Sequence, residues 1–229
     1  MAEILIVEDE RVVRNAYARL FAGEGYEVRL ARTAEEGVEK FRERRPGVVL
    51  LDVMLPGENG FAACRRMREI DELTPIVFNT QLDGADDRVR ALELGADDYV
   101  LKTDPDSVLI ARVGRAVRRL EAFVRNCRAA EAAEIKVGRA TVDCRELTVR
   151  DGSRRIRALT RTELDILRLL DRERGRFVSS GDVLEHVRGE GYACDGNTVY
   201  VHVCNLRRKL GAAGNLIVSL RDAGYKLLK

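Results

Sequence analysis

Short apolar runs alternate with helix-length amphipathic stretches through roughly the first 120 residues, and few folds satisfy that pattern, because strands buried on both faces need covering helices that return the chain in parallel. The runs Ile4–Val7, Tyr26–Leu30, Val48–Leu51, Ile76–Asn79 and Tyr99–Leu101 predict five parallel strands. Between the second and third, Thr33 stands three residues before Glu36, a capping-box pattern opening a helix that carries Val38 and Phe41. Gly95 closes a later helix, where a left-handed residue is needed. The expectation is an α/β doubly wound five-stranded parallel sheet over residues 1–122.

Ligands of such sheets bind beyond the carboxyl ends of the strands. The residues there are Glu8 and Asp9, then Asp52, then Thr80, then Lys102. Three carboxylates converging on one crevice repel each other unless something positive sits among them. A hard divalent cation with oxygen ligands, Mg2+, answers that need, and a lysine and a hydroxyl at the same edge suit the oxygens of a transferred phosphoryl group.

The second half reads differently. Segments Ile135–Val137, Ala140–Asp143 and Glu146–Val149, turned at Asp151-Gly152, predict a small antiparallel sheet. Thr160 and Glu163 form a second capping box before Leu164, Leu167 and Leu170, a buried helix face. A shorter helix near Gly181–Val187, a longer one near Asn197–Leu210, and a terminal hairpin from Leu216–Leu220 through Asp222-Ala223-Gly224 to Tyr225–Leu228 complete a winged helix-turn-helix outline over 135–229. Residues 123–134, rich in Ala, Arg and Glu, are expected to be a linker or a helical extension.

Charge divides the same way. Residues 1–134 hold 21 Lys/Arg against 26 Asp/Glu, net −5, and residues 135–229 hold 19 against 12, net +7. A basic half can release condensed counterions from a phosphate backbone, which an acidic half would repel. On the long helix, Val199, Val203, Leu206 and Leu210 share one face, predicted to be core. The opposite face presents Val201, Cys204, Asn205 and Arg208, flanked by Thr198, His202, Arg207 and Lys209. Asn and Arg suit base edges, Val a thymine methyl, and the cations DNA phosphates.

Several classes are disfavoured. With 45% hydrophobic and 34% charged residues the composition is that of an ordinary globular protein. Five widely spaced cysteines with no CxxC pair argue against disulfide staples and a zinc site. Met1 leads almost directly into a strand-like run with no basic n-region and apolar h-region before it, so no signal peptide is expected, and the longest apolar run, around Val48–Leu55, is too short to span a bilayer. The expected location is cytoplasmic, without a membrane partner.

VEDE, LLDVMLPGENG, PIVFNT and GADDYVLK, in this order and spacing, resemble the signature segments of response-regulator receivers, which are flavodoxin-like. LTRTELDILRLL, NTVYVHVCNLRRKL and SLRDAGYKLL resemble the core helix, recognition helix and wing of the OmpR/PhoB-type effector domain. The resemblance implies Asp52 as phosphoacceptor, with Glu8, Asp9, Asp52 and the Met54 carbonyl around Mg2+. It further implies Thr80 and Lys102 as phosphate partners, Tyr99 as a rotamer switch, and Arg221 near a minor groove. A sensor histidine kinase as donor, a homodimer through the receiver and promoter half-sites on DNA follow from it. RNA polymerase is a further expected partner, with the loop Gly189–Asn197 as candidate surface.

Three positions depart from the family pattern: Thr103 where proline commonly follows the lysine, Gln81 where a small residue follows the threonine, and Val108 where an acidic residue opens the last receiver helix. They motivate an alternative in which the receiver is a constitutive dimerisation module, independent of phosphorylation. A phosphoester hydrolase working through an aspartyl phosphate lacks the second Asp of a DxD motif, since position 54 is Met, so the chain is not expected to be an enzyme.

Overall fold

The computed structural model describes residues 2–128, 134–151, 154–188 and 196–228. Its contacts divide the chain into two units, Met1–Val124 and Arg125–Lys229.

In the first unit, strands β1 (Glu3–Val7), β2 (Glu27–Ala31), β3 (Val48–Leu51), β4 (Ile76–Thr80) and β5 (Asp98–Leu101) form one parallel sheet in the order β2-β1-β3-β4-β5. Each predicted strand is present, with ends moved by at most one residue. Alternation along the strands divides the core in two. Leu5, Val7, Val49, Leu51, Ile76 and Phe78 pack against helices α2 (Ala34–Glu43), α3 (Gly60–Ile70) and α4 (Ala85–Glu93) through Val38, Phe41, Phe61, Met67 and Ala91. Ile4, Ile6, Val48, Leu50, Val77 and Val100 pack against α1 (Arg11–Gly23) and α5 (Asp106–Arg128) through Phe21, Leu109, Val113 and Val117.

Local signals account for the helix ends. Thr33 caps α2 by accepting the N–H of Glu36, but the Glu36 carboxylate bonds the N–H of Arg32 rather than that of Thr33, so the capping box is only half formed. Gly95, at φ +93°, turns the chain out of α4. The expected linker 123–134 begins as the last turns of α5, residues 129–133 lie outside the described residues, and Glu134 already starts β6.

The second unit opens with four antiparallel strands, β6 (Glu134–Val137), β7 (Ala140–Asp143), β8 (Thr148–Asp151) and β9 (Arg154–Ala158), one more than expected. Arg154–Ala158 carries three arginines, and its alternation rests on Ile156 and Ala158 alone, which hides it in the sequence. The third strand starts at Thr148 rather than Glu146, because the buried Leu147 takes a left-handed φ of +52° that no strand accommodates. Of the expected Asp151-Gly152 turn, Gly152 lies outside the described residues.

Helices α6 (Arg161–Arg172), α7 (Ser180–Arg188) and α8 (Gly196–Leu210) follow, with a complete capping box at Thr160 and Glu163. A 3-10 turn, Gly211–Leu216, leads to the hairpin β10 (Ile217–Leu220) and β11 (Gly224–Leu227). Val178 joins that hairpin as a third line of backbone pairing, exchanging two 2.8 Å hydrogen bonds with Tyr225.

Candidate functional site

The strand order reverses direction at β1, whose two neighbours are β2 and β3, and this switch point is where a doubly wound sheet opens a crevice. Glu8 and Asp9 leave β1 there and Asp52 leaves β3. Carboxylate oxygens of the three lie within 4.8 Å of one another. Glu8 and Asp52 are buried at 2% and 4% exposure, whereas Asp9 faces solvent.

Lys102, one residue past β5, resolves the repulsion between the buried pair. Its Nζ lies 2.7 Å from Asp52 Oδ2 and 2.7 Å from Glu8 Oε2. The other Asp52 oxygen accepts the Met54 N–H at 3.1 Å, so both oxygens of the predicted phosphoacceptor are oriented. Burial alone would lower the Lys102 pKa, but hydrogen bonds to Asp52 and Glu8 outweigh it and hold the ammonium above its usual value. For Glu8 the balance tips the other way: burial, aided by the Asp52 charge, raises its pKa although Lys102 opposes the rise. The single ammonium therefore offsets one of the pair's two negative charges and does not fully compensate Glu8 for its lost water.

Around this triad the structure brings some expected residues and adds others. Thr80 is fully buried at the end of β4, and its hydroxyl accepts the Leu82 N–H at 3.4 Å. Tyr99 is buried against Phe78, and its hydroxyl donates to the Leu82 carbonyl at 2.8 Å. Burial pushes the Tyr99 phenol up to about 12. Thr80 and Tyr99 thus both bond the main chain of Leu82, one at its N–H and the other at its carbonyl, a link that sequence reasoning missed.

Arg14 was also missed. It is nearly buried, and its guanidinium donates to the carbonyls of Glu8 and Asp9, both at 2.8 Å, fixing the acidic turn from α1. In the sequence it reads as one more charge on an amphipathic helix. The Met54 side chain is 60% exposed at the rim, and Gln81 and Thr103 are exposed. The Lys102–Thr103 peptide is trans, and Asp104 closes the turn by accepting the Leu101 N–H.

The donor set is three carboxylates close enough to share one cation, hard oxygen ligands that fit Mg2+, provided Lys102 yields Glu8 and Asp52 to it.

In the second unit α8 departs from expectation. Val199, Val203, Leu206 and Leu210 are core, as their spacing predicts. Only part of the opposite sector faces solvent: Thr198, Val201, His202 and Asn205 are all at most 4% exposed, whereas Cys204 is half-buried and Arg208 exposed. Periodicity defines the helix face that meets one partner layer, and on a helix covered on more than one side the solvent stripe is narrower than the face opposite the core. Arg207 Nε donates to the Ile217 carbonyl, and Lys209 reaches the buried Glu163 at 2.9 Å, so both cations brace the fold. Arg208 is exposed and bonds Asn205 Oδ1, and Tyr200, unremarked in the sequence, is 58% exposed. Arg221 is exposed at the hairpin tip. Residues 189–195 of the proposed polymerase loop lie outside the described residues.

Carboxylates gathered at the switch point of this sheet, in a chain whose second unit ends in helix and wing, make up a receiver coupled to a DNA-binding effector. Residues 4–114 match the family model of the response regulator receiver domain, and residues 154–227 that of the transcriptional regulatory protein C terminal. Response regulator MprA of Mycobacterium bovis is 36% identical over 226 residues, covering 98% of this chain and 96% of the relative, and MprA of Mycobacterium tuberculosis matches to the same extent. Among solved structures, the Thermotoga maritima OmpR/PhoB homologue DrrB is 25% identical over the whole of both chains with a TM-score of 0.50. A cysteine-to-serine variant of RitR, 23% identical with a TM-score of 0.79 over 99% of both chains, shares the fold. The chain belongs to the OmpR/PhoB-type response regulators, whose work is two-component transcription regulation. No helix among the described residues is long and apolar enough to cross a membrane.

Proposed function

We propose that Asp52 accepts a phosphoryl group from the phosphohistidine of a sensor histidine kinase, and that this modification favours a receiver homodimer and tighter binding to promoter DNA. The observation that carries the reading is the buried Asp52 carboxylate, held at both oxygens by Lys102 and the Met54 N–H and sharing one crevice with Glu8 and Asp9.

An Asp52 oxygen attacks phosphorus, the P–N bond breaks, and the imidazole leaves with the bonding pair. Glu8, Asp9, Asp52 and the Met54 carbonyl would hold Mg2+, which would supply positive charge for the phosphoryl oxygens. Lys102 is already 2.7 Å from Asp52 and turns from neutralising two carboxylates to pairing with the new phosphate. Thr80 gives its hydroxyl to a phosphoryl oxygen and so releases the Leu82 N–H, while Tyr99, on the carbonyl of the same residue, carries the change to the α4–β5 surface. The effector reads DNA through α8 and the wing, with the exposed Arg208 and Arg221 as its proposed contacts.

The test treats the full chain with beryllofluoride or acetyl phosphate plus Mg2+ and measures dimer fraction by sedimentation and DNA affinity. Both rise in the wild type and neither in Asp52→Asn. A response that survives in Asp52→Asn sinks the assignment.

A second reading keeps the regulator and drops the modification. It is favoured by Gln81 and Thr103, both exposed beside the site, and by Val108, the three positions that depart from the family pattern. Under it, Asp52→Asn protein regulates normally in cells.

A further inference from the structure

Strand alternation sends Ile4 and Ile6, Val48 and Leu50, Val77, and Val100 to the face covered by α1 and α5. Two residues further along each strand stand Glu8, Asp52, Asn79 and Lys102, which therefore share that face. Three of the four are the triad already described. The fourth is unexplained by it.

Asn79 is 2% exposed. Its amide nitrogen reaches the Val100 carbonyl only at 3.5 Å, and its Oδ1 meets no donor. The rest of β4 before it, Ile76, Val77 and Phe78, is apolar. The β3–β4 register pairs Leu51 with Phe78, so Asn79 is the next-strand neighbour of Asp52, at a strand spacing of about 4.8 Å. A buried carbonyl oxygen without a donor is destabilising, and valine would fill the position without that cost.

Lys102 carries donors on the same face. Its ammonium has three N–H groups, and its two strong partners are Asp52 and Glu8, the carboxylates that a divalent cation must take over. An ammonium turned away from them needs another buried acceptor on the same face, and among the described residues the Asn79 oxygen is left open there.

We infer that Asn79 Oδ1 is the second docking point of the Lys102 ammonium, occupied when a divalent cation claims Glu8 and Asp52, which makes Asn79 a positioning residue for cation binding. The inference rests on the proposed Mg2+ site.

Calorimetric titration of the full chain with Mg2+ alone tests it through two isosteric variants, Asn79→Val and Asn79→Thr, which differ by a methyl against a hydroxyl. Asn79→Val should bind Mg2+ about tenfold more weakly than wild type, a typical effect of losing a group that supports a metal ligand set. Asn79→Thr, which keeps an acceptor oxygen, should recover most of that loss. Metal-free Asn79→Val should unfold at or above the wild-type temperature, the opposite of what a merely structural loss would give. In a Lys102→Met background, with no ammonium to relocate, Asn79→Val should leave Mg2+ affinity unchanged. Equal Mg2+ affinity for wild type and Asn79→Val, or the same weakening with and without Lys102, overturns the inference alone. A wild type that binds no Mg2+ overturns the metal site with it.

Discussion

Side chains at the rim of the receiver sheet and on helix α8 obey equally regular periodicities, yet only the rim resolves into an atomic site from sequence. A strand in a sheet has two faces fixed by its neighbours, so alternation and parallel register together leave one destination for Glu8, Asp52 and Lys102, and the switch point supplies the opening. A helix has as many faces as it has partners. The spacing of Val199, Val203, Leu206 and Leu210 finds one of them, and the sector opposite, expected to meet solvent, is buried at Val201 and Asn205.

The contrast is broken most severely at the rim, by crowding it. A Cβ on Gly60 would stand 1.9 Å from the Asp52 carbonyl oxygen, a backbone atom that no side-chain rotation can move aside. Gly60→Ala should therefore cost roughly 4 kcal/mol of stability in urea denaturation, in the range reserved for gross steric conflict. A loss below about 1 kcal/mol would show that the loop after Asp52 yields freely and that the rim is not the rigid frame described.

Removing the charge at its centre comes next. Lys102→Met leaves two buried carboxylates facing each other and should cost about 3 kcal/mol in metal-free protein, with much of the loss restored by Mg2+. Failure of Mg2+ to restore it would separate the lysine's role from a cation's. Glu8 adds a pH test whose sign is fixed by its raised pKa. A carboxyl whose pKa rises on folding opposes the fold once ionised, so its stabilising influence is complete below the unfolded value of 4.5 and is lost as pH climbs through the folded value. Glu8→Gln should then stabilise metal-free protein at neutral pH and lose that advantage as the pH falls toward 4.5, measured by thermal melts across the range.

The same contrast explains what was legible. All five receiver strands, the acid pair, Asp52, Thr80 and Lys102 follow from apolar runs and from what comes directly after them. Arg14, Leu82 and Asn79 do not, because their roles depend on backbone carbonyls and unpaired oxygens that no residue type advertises. In the effector, β9 escaped because its arginines conceal a strand, and the start of β8 because Leu147 adopts a conformation unusual for a branched side chain.

On α8 the contrast is sharpened by pairing buried with exposed positions. Val201→Ala should cost about 2 kcal/mol, two buried methyl groups plus a cavity, whereas Tyr200→Ala should stay within about 0.5 kcal/mol. If Val201→Ala is as mild as Tyr200→Ala, the sector opposite the core is open in solution and the sequence reading of the helix stands. DNA titrations at several salt concentrations add an independent measure. Arg208→Ala, which removes an exposed cation, should lower the slope of log affinity against log salt by about one unit, and an unchanged slope would remove Arg208 from the phosphate contacts.

The smallest effect lies at the wing, where two left-handed residues differ in what holds them. Gly224, at φ +96°, has no alternative, since a Cβ there would meet the Val178 carbonyl oxygen at 2.0 Å. Asp222, at φ +65° in the turn closed by the Ala223 N–H on the Leu220 carbonyl, is exposed and meets no such obstacle. An aspartate tolerates this conformation better than most residues, and glycine relieves the remaining strain while giving the unfolded chain more freedom, so Asp222→Gly should change stability by no more than about 0.5 kcal/mol. Its effect on binding has a definite sign. The carboxylate stands beside Arg221 at the tip and repels the phosphates that Arg221 would approach, so its removal should tighten DNA binding at low salt and do so less as salt screens the charge. Affinity unchanged at every salt concentration would place the tip away from the DNA backbone and leave α8 alone to make the contact.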